Sequence, residues 1–112
     1  MTDPTTLLRA LLTRGLVLHL EGAAGGGYAP RPLPLSAWTL TPGPELARAK
    51  ATVTFHFAGP AGTVTGWRLD ADGETVACDT LRNDAGRPRT CVVRVAGSSI
   101  TVHPSLIIQV DP

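Results

Sequence analysis

The chain is 112 residues long, one domain's worth of sequence, with room for a modest core and little room for a deep pocket beside it. Charged residues make up 17% of it and the net charge is +1, which sits below the ~25% charged fraction of typical soluble domains and builds in no long-range attraction to nucleic acid or anionic lipid. No run approaches ~18 apolar residues, so no helical membrane span is expected, and the opening MTDPTTLLRA lacks the basic stretch and apolar core of a secretory signal.

Twelve Gly and ten Pro accompany 43% hydrophobic residues. That composition predicts a folded chain of short strands and many turns, short of the ~25–30% Gly and Pro that accompanies disorder. Asp3-Pro4 predicts the start of a helix over 3–15: Asp3 can accept from a free N–H of the first turn, and Pro4 suits the first helical position. Leu7, Leu8, Leu11 and Leu12 follow as one apolar stripe, and Gly15 suits the C-terminal cap. Leu16 to Leu20 alternates as a strand, with Leu16, Leu18 and Leu20 on one side and Val17 and His19 on the other.

Residues 21–50 read as a Gly/Pro-rich loop and arm region. Within it, Glu21 to Gly27 is a flexible loop, and Tyr28 to Leu35, holding Pro30, Pro32 and Pro34, is an edge or extended arm. Ser36 to Thr41 predicts a short strand around Trp38. Glu45 to Lys50 reads as a helical turn or a loop.

Residues 51–110 read as an antiparallel β core. Val53, Phe55 and Phe57 alternate with Thr52, Thr54 and His56. Thr63 to Asp70 and Glu74 to Leu81 form a hairpin about Asp72-Gly73, a strong turn signal. Asn83 to Pro88 turns the chain into a further strand over Arg89 to Val95, followed by Ser99 to His103 and a closing strand over Leu106 to Val110. The expected architecture is therefore mainly β: one antiparallel sandwich or barrel-like domain over 1–112 with one short N-terminal α-helix.

Candidate chemistry is sparse. His19, His56 and His103 each fall opposite an apolar strand face without a shared ligand spacing, so ordinary half-exposed histidines are expected rather than a zinc or nickel site. Cys78 and Cys91 flank the Asn83–Gly86 turn. A hairpin centred there would place them opposite each other within disulfide reach, and the alternative is a pair of reduced, buried thiols. Neither cysteine has a neighbouring base, so neither reads as a nucleophile. The acids Asp70, Asp72 and Glu74 are better explained as turn corners than as a calcium loop.

The Gly-rich 22–27 run lacks the Lys-Ser/Thr ending of a phosphate loop. Arg82, Arg87 and Arg89 read as a solvated hairpin end without a stacking platform for nucleic acid. Trp67 is expected in the core. Tyr28 and Trp38 either pin the Pro-rich arm or sit at a partner interface, where aromatics are enriched. No cofactor is implied, and with no nucleophile–base pair or ligand set the expectation is a protein that is not an enzyme.

The order of these segments resembles a group of small virion accessory proteins of tailed phages. The matching pieces are LLRALLTRGLVLHL over 7–20, Gly27-Tyr28-Ala29-Pro30, the lone Trp38, Ala51-Thr52-Val53-Thr54-Phe55, Gly62-Thr63-Val64-Thr65-Gly66-Trp67 with Asp70-Ala71-Asp72-Gly73, and the run from Gly97 to Val102. The sequence departs from that pattern between Glu21 and Tyr28 and around Asn83 to Arg89. The resemblance implies a β-sandwich that decorates or cements a capsid, or alternatively belongs to the tail or a fibre. It would be made in the host cytoplasm and carried on the virion.

Its implied partners are the major capsid protein or other virion proteins, together with copies of itself as a trimer or similar, and neither nucleic acid nor membrane. The surface candidates are Leu7, Leu11, Tyr28, Pro30, Pro32 and Trp38, with loss of the helix or of the 28–35 arm expected to weaken attachment more than folding. A reading of a different class is a small carbohydrate- or ligand-binding β-sandwich using Trp38, Tyr28 and the Asp70–Glu74 turn.

Overall fold

A computed structural model of the protein describes residues 3–22, 28–83 and 85–109. Helix α1 spans Pro4–Leu12. The Asp3 carboxylate accepts the Thr6 N–H at 2.7 Å, and Pro4 occupies the first turn, where its missing N–H costs no helical bond. The helix stops before 15 because the Thr13 hydroxyl donates to the Ala10 carbonyl at 2.9 Å while Gly15, at φ +78°, swings the chain into the first strand. Leu8 and Leu12 are fully buried, Leu11 is partly buried and Leu7 is 41% exposed. The apolar stripe thus splits into a core pair and an outer margin.

The strands are β1 (Leu16–Glu21), β2 (Arg31–Leu33), β3 (Thr39–Thr41), β4 (Leu46–Lys50), β5 (Val53–His56), β6 (Gly62–Val64), β7 (Gly66–Ala71), β8 (Glu74–Thr80), β9 (Cys91–Val93), β10 (Ser99–Val102) and β11 (Ser105–Gln109). All their pairings are antiparallel. One sheet runs β2-β1-β7-β8, a second β11-β4-β3, and β5 with β10 and β6 with β9 form two-stranded ribbons. The mainly β architecture with a short N-terminal helix is as the sequence predicts. So is the β7–β8 hairpin, whose Asp72 and Gly73 take positive φ of 52° and 82°, the conformation that a tight two-residue turn needs.

The core is made where the inward rows meet. Leu16, Leu18 and Leu20 of β1 face Trp67, Leu69 and Ala71 of β7, with Val53, Phe55 and Phe57 and then Ile100, Val102 and Leu106 completing it. Among the described residues no charged or polar residue is buried.

Several expectations need correction. Glu45 to Lys50 is neither a helical turn nor a loop. It ends in β4, the middle strand of its sheet, where Ala47 and Ala49 are fully buried and Leu46, Arg48 and Lys50 are exposed. The 21–50 region therefore contributes strands and core, not only arm. Helix α1 packs on β4 and β11, and two alanines let it approach closely. Leu35–Ala37, expected as the end of the arm and the start of a strand, forms a 3-10 turn before β3. Thr63 to Asp70 is two strands, because Thr65 is a corner. Its N–H donates to the Glu21 carbonyl at 3.0 Å and its carbonyl accepts from Leu81 at 2.9 Å, so the chain leaves the ribbon with β9 and enters the sheet of β1 and β8. The Gly-rich run at 23–27 and the end of the closing strand at 110 lie outside the described residues.

Candidate functional site

The densest polar constellation lies on the outer face of the β2-β1-β7-β8 sheet. Strand alternation sends His19 and Glu21 of β1 and Arg68 and Asp70 of β7 to the same side, with His19 directly opposite Arg68. Asp70 is the hub. It accepts Arg68 Nε at 3.2 Å and the Thr75 hydroxyl at 2.8 Å, and His19 Nε2 lies 3.4 Å away. Arg68 Nη1 also reaches Glu21 at 3.5 Å.

The Asp70 side chain is only 15% exposed. Burial pushes its carboxyl up, but the bonds from Thr75 and Arg68, with the charges of Arg68 and His19, together hold it below its ordinary value. Arg68 is raised, first by its bond to Asp70. Each member therefore faces another member, and no nucleophile stands within the group. The network stiffens the sheet face.

Two shallow depressions lie near the end of β8. One, of about 170 Å³, is lined by Trp67, Asp79, Leu81, Arg82, Thr101 and His103. The other, of about 420 Å³, lies over Gly66 and is lined by Glu21, Cys78, Asp79 and Thr80 among others. The first is smaller than a small-molecule pocket of ~300–1,000 Å³, and the second is open. The acids of the hairpin do not converge, since Asp72 pairs with Arg14 at 3.1 Å while Asp70 is engaged as above. His56 ends β5, and His103 Nδ1 lies 3.3 Å from the Thr52 hydroxyl. Among the described residues no group of three or more His, Cys, Asp or Glu is placed to hold a metal ion.

The structure divides the six surface candidates. Leu7 is exposed and Pro30 and Pro32 lie on the exposed arm, with Pro32 in the edge strand β2 opposite Val17. Leu11 is partly buried. Trp38 is a correction: it is 8% exposed and belongs to the core, with its Nε1 buried and without a hydrogen-bond partner. Tyr28 pins the arm, packing edge-on to Phe55 at 5.7 Å and against Phe57 at 5.7 Å, with its hydroxyl donating to the Leu20 carbonyl at 3.4 Å.

Cys78 and Cys91 are free, and their expected opposition does not form. β8 pairs with β7 and β9 with β6, so Cys78 faces Arg68 and Cys91 faces Val64. The hairpin between them closes only near its tip, through Arg89 N–H to Leu81 at 2.8 Å and Asn83 N–H to Arg87 at 2.9 Å. Cys78 is exposed rather than buried.

A surface the sequence reading missed lies on the β11-β4-β3 sheet. Its outer row carries Thr39, Thr41, Leu46, Arg48, Lys50, Ser105, Ile107 and Gln109, all exposed. Ile107 is 53% exposed, and Arg48 and Lys50 make no ion pair among the described residues. The period-two alternation of Leu46-Ala47-Arg48-Ala49-Lys50 was the signal for it. No protein-family model, curated protein or solved structure matches the chain.

Proposed function

We propose that this is a non-enzymatic structural protein of a phage-like particle, a capsid decoration or cement protein that acts by contact with the major capsid protein. The observation that carries a contact role is the open face of the β11-β4-β3 sheet. It exposes Leu46 and Ile107 beside Arg48 and Lys50, and holds no acid on its strands. Such a face fits a broad protein surface better than a small ligand, and a modest contact repeated over a lattice multiplies through multivalency. The phage assignment itself is supported by the segment resemblance.

Helix α1 is not a detachable anchor in this reading. Leu8 and Leu12 are fully buried, so removing the helix opens the core before it tests attachment. The carbohydrate-binding alternative loses its stacking aromatics, because Trp38 is buried and Tyr28 is packed on Phe55 and Phe57.

The test is quantitative mass spectrometry of gradient-purified particles from the source, counting this chain against the major shell protein. A ratio near one, or a simple fraction of it, is expected. A few copies per particle would move the protein to the tail or neck, and absence from particles would overturn the virion reading.

A further inference from the structure

Among the described residues, only two strands of five residues or more stand at a sheet edge, β8 and β11. They are treated very differently. The edge of β8 is guarded: its register with β7 is irregular at Leu69/Asp70, it begins with Glu74, and the Asp79 carboxylate covers the Thr80 N–H at 2.8 Å. Bulges and charges are the usual protection of an edge against pairing with another chain. β11 has none of these. Its sequence, Ser-Leu-Ile-Ile-Gln, carries no charge and no Pro, and its register with β4 runs without a break from Ser105 to Gln109.

The hydrogen-bond alternation says which groups of β11 are free. Ala51 N–H donates to the Pro104 carbonyl at 3.0 Å, so Pro104, Leu106 and Ile108 are the residues that bond toward β4. The N–H and C=O groups of Ser105, Ile107 and Gln109 point the other way. No hydrogen bond among the described residues reaches them. The side chains of these three residues are exposed as well.

We propose that β11 pairs antiparallel with β11 of a second copy, about a two-fold axis through Ile107. In this register Ile107 lies opposite Ile107 of the other copy, and Ser105 lies opposite Gln109. Every outward-pointing backbone group then meets its complement. Leu106 lies opposite Ile108 on the inner face, so the half-covered Ile108 is closed over. No charge stands at the seam, and a rotation about the sheet normal keeps both helix-covered faces on the same side. The contact is isologous and therefore closes as a dimer rather than growing into a fibre. It does not depend on the virion reading.

The test is sedimentation equilibrium of the full chain over a dilution series, beside Ile107→Lys and a control, Thr41→Lys, at the opposite edge of the same sheet. The unsubstituted chain and the control are expected to approach twice the 11.7 kDa chain mass. Ile107→Lys sets like charges directly opposite each other and is expected to weaken association about tenfold or more. A second measurement uses Ile107→Cys with Cys78 and Cys91 replaced by Ser. A bonded antiparallel pair brings the two Cα atoms to ~5.5 Å, within disulfide reach, so mild oxidation is expected to yield a covalent dimer, and Thr41→Cys in the same background is not. A chain that stays monomeric throughout, an Ile107→Lys variant that dimerises as well as the parent, or cross-linking at 41 and not at 107 would each overturn the proposal.

Discussion

Arg82 grips both carboxylate oxygens of Asp79, Nε to Oδ2 at 3.1 Å and Nη2 to Oδ1 at 3.0 Å. Oδ1 also accepts the N–H of Thr80 at 2.8 Å. The Arg82 bond is the main reason the Asp79 carboxyl lies below its ordinary value. The pair is about half exposed, 46% and 41%, so its contribution to stability is screened. Its larger effect is to cover an edge N–H of β8. Asp79→Ala is expected to cost under about 1 kcal/mol in chemical unfolding. It should also raise the weight-average mass with concentration above that of the unsubstituted chain, seen by sedimentation, because the edge is uncovered.

Asp70 should set the acid sensitivity of the sheet face. Its folded carboxyl lies below its ordinary value of 3.8, so it contributes stability that is present above that value and is lost as pH falls through the lower folded value. Asp70→Asn is expected to cost about 1–2 kcal/mol at neutral pH, since the Arg68 Nε and Thr75 hydroxyl donors lose their charged acceptor. The difference from the parent should begin to shrink as pH falls below 3.8 and close only below the lower folded value, where the parent carboxylate is itself protonated. Thermal melts of both proteins at neutral and acid pH check this, and a gap that stays constant with pH would contradict it.

The split of the helix stripe predicts unequal leucines. Leu8 has no exposed surface, whereas Leu7 is 41% exposed. Leu8→Ala is expected to cost about 2–5 kcal/mol and Leu7→Ala to stay within about 0.5 kcal/mol. Urea unfolding of the two variants separates them.

Gly66 predicts an effect that acts through the backbone alone. A Cβ there would strike the Asp79 carbonyl oxygen and crowd the Thr80 Cα, both backbone. Gly66→Ala is therefore expected to push β7 and β8 apart at a cost of about 1–3 kcal/mol. Gly59→Ala meets nothing within 4 Å and serves as the control, with both read from thermal unfolding.

Local chemistry made part of this fold legible from the sequence. Asp3-Pro4 and the leucine spacing fixed the helix start, the Asp72-Gly73 pair announced the β7–β8 turn, and the Val53-Phe55-Phe57 alternation named a core row, because capping, turn φ and the period of two are properties of neighbouring residues. The His19–Asp70–Arg68 cluster was not legible, since its members come from strands whose pairing is set by distant packing. The same holds for the cysteines: a hairpin about Asn83–Gly86 would oppose Cys78 and Cys91, but β8 pairs with β7 and β9 with β6.

β4 shows the division most plainly. Its alternation is written in five residues, yet Ala47 and Ala49 become a buried row only because α1 lies on them and β3 and β11 flank them. The sequence by itself thus determined the helix cap, the turns and the mainly β character of this protein. The tertiary structure alone decided which strand edges are guarded, which sheet face stays open and which polar groups meet, because sheet pairing is a long-range choice between competing partners.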